Sequence, residues 1–198
     1  MRHGADALGL VGPMPSGTGI VALETARRLA AMTPPPVASF LLSSAVEPEA
    51  LVEEARAVQP TVLQIVDRVP DAAYRLLRRE LPALKLVQVV HVSDEETIEE
   101  ARAAAGLADA VLLDSGTREG PVAKLGGTGM VHDWGVSRRI VEAIAKPVIL
   151  AGGLRPENVA EAIRTVRPFG VDLCTGLRTA DRLDEAKLAA FMQGVASA

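Results

Sequence analysis

The stretch that decides the fold reads Ala110-Val111-Leu112-Leu113-Asp114-Ser115. After a polar turn it continues as Leu125-Gly126-Gly127-Thr128-Gly129 and His132-Asp133-Trp134. An apolar run of strand length that ends in an acid predicts a buried β-strand with one ionisable group at its end. The following segment is too rich in glycine for a helix and predicts a loop. This arrangement is typical of a ligand site at a strand end.

Similar apolar runs recur along the chain, and they are continuous rather than alternating. Continuous runs are typical of parallel strands that are buried on both faces. Amphipathic helical patterns lie between them, as in Pro48 to Val58, where the apolar residues share one face. The seven runs are Ala7 to Val11, Val37 to Leu42, Val62 to Val66, Leu84 to His91, Ala110 to Asp114, Pro147 to Ala151 and Gly170 to Cys174.

Two local signals predict where helices begin. Ser93 to Glu96 reads as a capping box in front of an apolar helical pattern. Pro156 occupies the place that proline prefers, at the first position of a helix. We therefore expect one helix to start directly after Ser93 and another to start at Pro156.

Alternating strands and helices predict an α/β protein with a parallel sheet, either doubly wound or closed as a barrel. No change in composition and no long linker divides the chain, so we expect residues 1–198 to form a single domain. A (β/α)8 barrel needs eight strands. The segment Arg2 to Gly9 resembles a helix end, its glycine and the next strand. We therefore expect a TIM-type barrel without the first strand and most of the first helix.

Composition excludes several classes of partner. The 198 residues carry 21 Lys and Arg against 25 Asp and Glu, and this net charge of −4 gives no general attraction to nucleic acid or to an anionic membrane. No stretch reaches the roughly 18 consecutive apolar residues of a membrane span. The single cysteine, Cys174, excludes an internal disulfide. We expect a cytoplasmic protein that binds a small molecule, while composition leaves its oligomeric state open.

Asp114 is the candidate acid–base residue. Parallel α/β folds bind ligands at the carboxyl ends of their strands. Partial burial raises the pKa of a carboxyl group there, which enables it to donate a proton. The alternative is an aspartate that caps a helix or a turn. The loop that follows, either a cover for a substrate or a simple connection, contains Gly126, Gly127, Thr128 and Gly129.

Two later strand ends carry small residues, in Ala151-Gly152-Gly153-Leu154 and Cys174-Thr175-Gly176-Leu177. Glycine allows a phosphate to reach backbone N–H groups without a side chain in the way. Barrel phosphate sites recur in the loops after the last two strands. We therefore expect a phosphate site, with tight turns as the alternative, formed by Gly152, Gly153, Thr175 and Gly176.

Other candidate residues receive structural roles. His3, His91 and His132 lack metal-ligand spacing, so we assign no metal and expect them in surface or turn positions. We expect Asp133 to cap the helix that begins near Trp134. We expect Cys174 to be a small side chain buried on a strand.

Together these residues resemble the phosphoribosylanthranilate isomerase family, which are (β/α)8 enzymes of tryptophan biosynthesis. The motifs follow the family's order and spacing over the C-terminal half of the chain. The resemblance implies an Amadori rearrangement of an aminoaldose to an aminoketose without a cofactor. It implies that Asp114 is the general acid that opens the furanose ring, and that the glycines hold the phosphate of a phosphorylated sugar. The motifs are Leu112 to Ser115, Gly126 to Trp134, Pro147 to Val159 and Arg167 to Asp172.

The N-terminal half resembles the family less closely. The Lys-Ile-Cys-Gly strand, whose cysteine is the family's general base, does not occur in this sequence. The family's Ser-Pro-Arg loop, whose arginine meets the anthranilate carboxylate, corresponds to Pro15 to Gly19. Three hypotheses stay open at this point: an isomerase, a catalytically silent or divergent sugar-phosphate-binding barrel, and a scaffold that works only in a complex.

Overall fold

A computed structural model of the chain describes residues 3–15, 18–115 and 132–198. The chain divides into two compact units, the first formed by Met1–Val89 with Leu107–Asp109 and the second by Val90–Gly106 with Ala110–Ala198. The expectation of a single domain stays a prediction.

The first unit alternates strands and helices. Its strands pair in the order β1-β2-β3-β4, and each neighbouring pair is parallel. The elements are β1 (Ala7–Val11), α1 (Leu23–Met32), β2 (Ala38–Ser43), α2 (Pro48–Val58), β3 (Val62–Ile65), α3 (Asp71–Glu80) and β4 (Lys85–His91), whose last two residues belong to the second unit.

A buried polar network joins α3 to the ends of β3 and β4 inside the first unit. The Tyr74 hydroxyl donates to Gln88 Oε1 over 2.5 Å, and both residues are buried. Gln88 Nε2 donates to the backbone oxygens of Ile65, Asp67 and Val89 at 3.2, 3.2 and 2.9 Å. Because buried polar groups are costly without partners, this network holds the backbone at the end of β3 in one conformation.

The second unit continues the alternation. Its three main strands pair in parallel in the order β5-β6-β7, and a short antiparallel hairpin precedes the last helix. The elements are α4 (Thr97–Leu107), β5 (Ala110–Asp114), α5 (Trp134–Ala143), β6 (Val148–Leu150), α6 (Val159–Val166), β7 (Gly170–Val171), the hairpin strands β8 (Arg178–Thr179) and β9 (Arg182–Leu183), and α7 (Glu185–Ala196).

The core of the second unit lies between one face of its strands and the helices. Val111 and Leu113 of β5 are completely buried, as is Leu150 of β6. They share a cluster with Ile140 of α5 and Val159 of α6. The side chains that alternate with them along β5 and β6 therefore point to the other face of the strands.

Most predicted strands agree with the structure, and β1 and β5 have the predicted bounds. Two helix starts were wrong. Helix α6 begins at Val159 rather than at Pro156, because Asn158 Oδ1 accepts the Arg155 N–H over 2.9 Å and forms a turn before the helix. Helix α4 begins at Thr97, whose hydroxyl accepts the backbone N–H groups of Ser93 and Asp94. No helix among the described residues is long and apolar enough to cross a membrane.

Replacing the Tyr74 hydroxyl tests the buried network. Tyr74→Phe is expected to lower the free energy of unfolding by about 1–2 kcal/mol, because Gln88 Oε1 loses its donor while staying buried. Urea titration measures the change. Leu76→Ala on the same helix is a comparison that leaves the network intact. An unfolding free energy equal to that of the parent for Tyr74→Phe would contradict the role of the network.

Candidate active site

Asp114 ends β5 and lies on the face of the strand that points away from the helices. Its neighbour Leu113 is buried among the helices, and strand residues alternate between faces. Asp114 itself is half-buried. The carboxyl group therefore lies at the end of the strand, where the sequence predicted a reactive acid.

Burial raises the pKa of Asp114 to about 6. The Ser115 N–H, which donates to Asp114 Oδ1 over 2.8 Å, opposes this change by stabilising the charged form. The nearby Asp172 carboxylate adds to the increase. A carboxyl group with this pKa is partly protonated near neutral pH, so it can give up a proton during a reaction.

The parallel ladder places four strand ends in one row. Val92 N–H donates to Asp114 O over 3.0 Å, Ala151 N–H donates to Leu113 O over 2.7 Å, and Asp172 N–H donates to Leu150 O over 2.9 Å. These bonds align the carboxyl ends of β4, β5, β6 and β7. The row, from β4 to β7, consists of His91, Asp114, Ala151 and Asp172.

The sequence analysis gave Asp172 no role and placed it inside the apolar run Gly170 to Cys174, whereas β7 ends at Val171 and Asp172 follows it directly. Burial raises the pKa of Asp172, while a hydrogen bond from the Leu173 N–H opposes the increase. His91 was expected in a surface or turn position. Both of its ring nitrogens are buried at the end of β4. The signal available for His91 was an ionisable residue at the end of an apolar run; for Asp172 it was an ionisable residue within a predicted strand.

The turn after β6 is shaped by two glycines. Gly152 and Gly153 have φ values of 79° and 65°, in the left-handed region that favours glycine. A Cβ on Gly152 would lie 2.5 Å from the Ser115 nitrogen. Asn158 fixes the turn, because its Nδ2 donates to Gly153 O over 3.0 Å. The backbone after β6 therefore packs directly against the backbone after β5.

The segment after β7 also approaches this turn closely. Thr175–Leu177 form one turn of 3-10 helix, and a Cβ on Gly176 would collide with the Leu154 carbonyl oxygen. Within the described part of the chain, no acceptor takes a hydrogen bond from the amides of Gly152, Gly153, Thr175 or Gly176. The structure thus brings together the two segments that were predicted to form one phosphate site.

Other predicted positions gave mixed outcomes. Asp133 caps α5 as expected, since its Oδ1 accepts the Gly135 N–H over 2.7 Å. His132 Nε2 lies 2.7 Å from Ser137 Oγ, and burial lowers the pKa of His132 to about 4. Cys174 was expected to be buried and is instead exposed, because β7 ends at Val171. The predicted loop residues Gly126, Gly127, Thr128 and Gly129 lie outside the described residues.

Residues 3–15, 18–115 and 132–198 contain no group of three or more His, Cys, Asp or Glu side chains placed to hold a metal ion. The chemistry that these residues offer is a half-buried acid, a second carboxylate in the same row, and backbone amides at two neighbouring turns.

Comparison with solved structures defines the class of protein. A phosphoribosyl anthranilate isomerase from Thermotoga maritima matches with a TM-score of 0.82 and 30% identity, covering 100% of this chain and 91% of that one. Another isomerase structure, in complex with reduced 1-(o-carboxyphenylamino)-1-deoxyribulose 5-phosphate, matches with a TM-score of 0.79 and 27% identity, covering 100% and 90%. The chain therefore has the predicted TIM-type fold, with seven parallel main strands, β1 to β7, among the described residues.

Sequence comparison identifies the family. The family model described as N-(5'phosphoribosyl)anthranilate (PRA) isomerase matches residues 11–194. The isomerase of Methanocella arvoryzae is 37% identical over 185 residues, which cover 93% of this chain and 84% of that protein. That of Halobacterium salinarum is 38% identical over 193 residues, covering 96% and 85%. The chain belongs to the N-(5'-phosphoribosyl)anthranilate isomerase family.

Removing the Asp114 charge is expected to stabilise the protein more at pH 8 than at pH 4. Burial raises the pKa of Asp114 from 3.8 to about 6, so stability from the protonated form is present below pH 3.8 and is lost as the pH rises through 6. At pH 8, Asp114→Asn is expected to add about 1–3 kcal/mol to the free energy of unfolding. Urea titrations at both pH values measure this. Exposed Asp181→Asn is the control, and equal gains at both pH values would contradict the expectation.

The close approach at Gly152 gives a second prediction. Gly152→Ala is expected to lower the free energy of unfolding by about 1–3 kcal/mol, because the new methyl meets the Ser115 backbone and φ is unfavourable for alanine. Gly106→Ala, in α4, is the matched control. It has open space around the added methyl and is expected to stabilise by about 0.5–1 kcal/mol. Thermal and urea unfolding compare the two, and a neutral Gly152→Ala would contradict the tight packing.

Proposed function

We propose that this chain catalyses the Amadori rearrangement of N-(5-phosphoribosyl)anthranilate, an aminoaldose, to the aminoketose carboxyphenylamino-deoxyribulose phosphate in tryptophan biosynthesis. Membership of the isomerase family supports the reaction. The observation that carries the proposal is the half-buried Asp114 at the end of β5, with its pKa raised to about 6.

Asp114 acts as the general acid. Its proton passes to the furanose ring oxygen while the bond between that oxygen and C1 breaks, and the lone pair of the substrate nitrogen forms a double bond to C1. Loss of the C2 proton then gives an enol and leaves the nitrogen neutral, and the enol becomes the ketone as C1 gains a proton and the C2 hydroxyl loses one. The substrate nitrogen accepts the charge that a cofactor would otherwise carry, so the reaction uses no cofactor. The proposal assigns no residue to the removal of the C2 proton.

The phosphate is bound mainly by backbone amides. The amides of Gly152, Gly153, Thr175 and Gly176 lie on two turns in close contact and have no acceptor among the described residues. A phosphate dianion accepts several hydrogen bonds of this kind. Binding the phosphate fixes the sugar relative to Asp114 and makes proton transfer effectively unimolecular. We assign the loop of Gly126, Gly127, Thr128 and Gly129 to the same substrate on sequence grounds.

A second candidate function is binding of a sugar phosphate without rearrangement. The segment Pro15 to Gly19 contains no arginine where the family has one for the anthranilate carboxylate. This substitution favours a divergent ligand, whereas Asp114 and the glycine turns favour the isomerase. The site, on either hypothesis, binds a phosphorylated sugar, and we place the protein in the cytoplasm.

Turnover of N-(5-phosphoribosyl)anthranilate by the purified chain tests the proposal, together with rescue of a tryptophan auxotroph that lacks this isomerase. Asp114→Asn is expected to lower kcat/KM by about 100-fold or more, which is the range for loss of a general acid. Asp181→Asn, at an exposed position outside the site, is expected to leave kcat/KM unchanged. Binding of ribose 5-phosphate without turnover and without rescue would instead support the second function.

A further inference from the structure

Asp172 is an acidic group at the same edge of the second unit, and the proposed reaction does not use it. It follows β7 directly and donates its N–H to Leu150 O over 2.9 Å. Ala151 donates to Leu113 O over 2.7 Å in the neighbouring ladder. These two bonds put Asp114 and Asp172 at the same level of the sheet, with Ala151 between them. Two strand spacings separate their Cα atoms by about 9.5 Å.

The two carboxylates also share a face. Leu113, Leu150 and Val171 pack into the core against the helices. The residue after each of them points to the opposite face, because side chains alternate along a strand. Asp114 and Asp172 therefore lie on the face opposite the helices, and only the small Ala151 side chain stands between them in the row.

We propose that Asp172 is a positioning residue that acts through Asp114 and keeps the reactive proton on the Asp114 carboxyl group. The inference rests on the proposed function for its catalytic meaning. Two like charges on one face disfavour the state in which both groups are ionised, so the pair retains a proton over a wider pH range than Asp114 would alone. Asp172 influences the reaction without touching the reacting atoms.

The three strands β4, β6 and β7 each place one side chain in the row that contains Asp114. His91 is the titratable side chain in the row on β4, Ala151 on β6 is uncharged, and Asp172 on β7 is acidic. The Ser115 N–H donates to Asp114 from within the same segment. His91 and Ser115 are unchanged when only Asp172 is replaced, so a difference between the two proteins reports the charge of Asp172.

The experiment compares the full chain with Asp172→Asn, whose side-chain oxygen can still accept the Leu173 N–H. Carboxyl carbons of aspartate, labelled with carbon-13, are titrated by NMR, and the Asp114 signal is assigned with Asp114→Asn. We expect the Asp114 midpoint in Asp172→Asn to fall by about half a pH unit or more. The pH at which kcat/KM declines is expected to fall by the same amount, while KM changes little. Asp172→Glu is expected to restore the parent profile, and Asp181→Asn is the charge control.

The outcomes separate the two proposals. An Asp114 midpoint that is equal in the parent and in Asp172→Asn overturns the inference, even when both proteins are active. If the Asp114 midpoint falls in Asp172→Asn but the parent chain does not turn over the substrate, the proposed function is refuted and the coupling of the two carboxylates is supported. If Asp172→Asn does not fold, the parent decides: a two-step Asp114 titration curve supports the coupling, and a single step overturns it.

Discussion

The parallel hydrogen-bond ladder of β5, β6 and β7 is the constraint on which the site depends. Its bonds from Ala151 to Leu113 and from Asp172 to Leu150 determine which residues stand side by side at the strand ends. A shift of one residue along a strand would turn Asp114 or Asp172 towards the helices. The packed apolar face opposes such a shift, because it would move Leu113 or Leu150 out of the core. Burial on one face thus orients ionisable groups on the other.

The same ladder creates an acid from an ordinary aspartate. Three influences act on the pKa of Asp114: partial burial and the Asp172 carboxylate favour the neutral carboxyl group, whereas the Ser115 N–H favours the carboxylate. Burial dominates, and the pKa settles at about 6. A fully buried carboxyl group would hold its proton too tightly to give it up, while a fully exposed one would lose it well below neutral pH. The end of a strand provides the intermediate environment.

Local patterns in the sequence predicted much of the fold and part of the site. The bounds of β1, β5 and α2 followed from apolar runs and a helical period, which depend only on neighbouring residues. The position of Asp114 followed from the same rule. Asp172 was missed as a partner because its place beside Ala151 depends on the register between strands, which no local pattern contains. The starts of α4 and α6 were missed because Thr97 and Asn158 side chains form competing turns.

The contact between Gly152 and Ser115 has a genetic consequence. Single-nucleotide changes in a glycine codon introduce residues that all carry a Cβ, and the nearest atom to that Cβ is the main-chain nitrogen of Ser115. Every residue type has this nitrogen, so no replacement of the Ser115 side chain removes the obstacle. Position 152 therefore has no compensating partner at position 115, and we expect lineages of this protein to keep glycine there while the side chain at 115 varies.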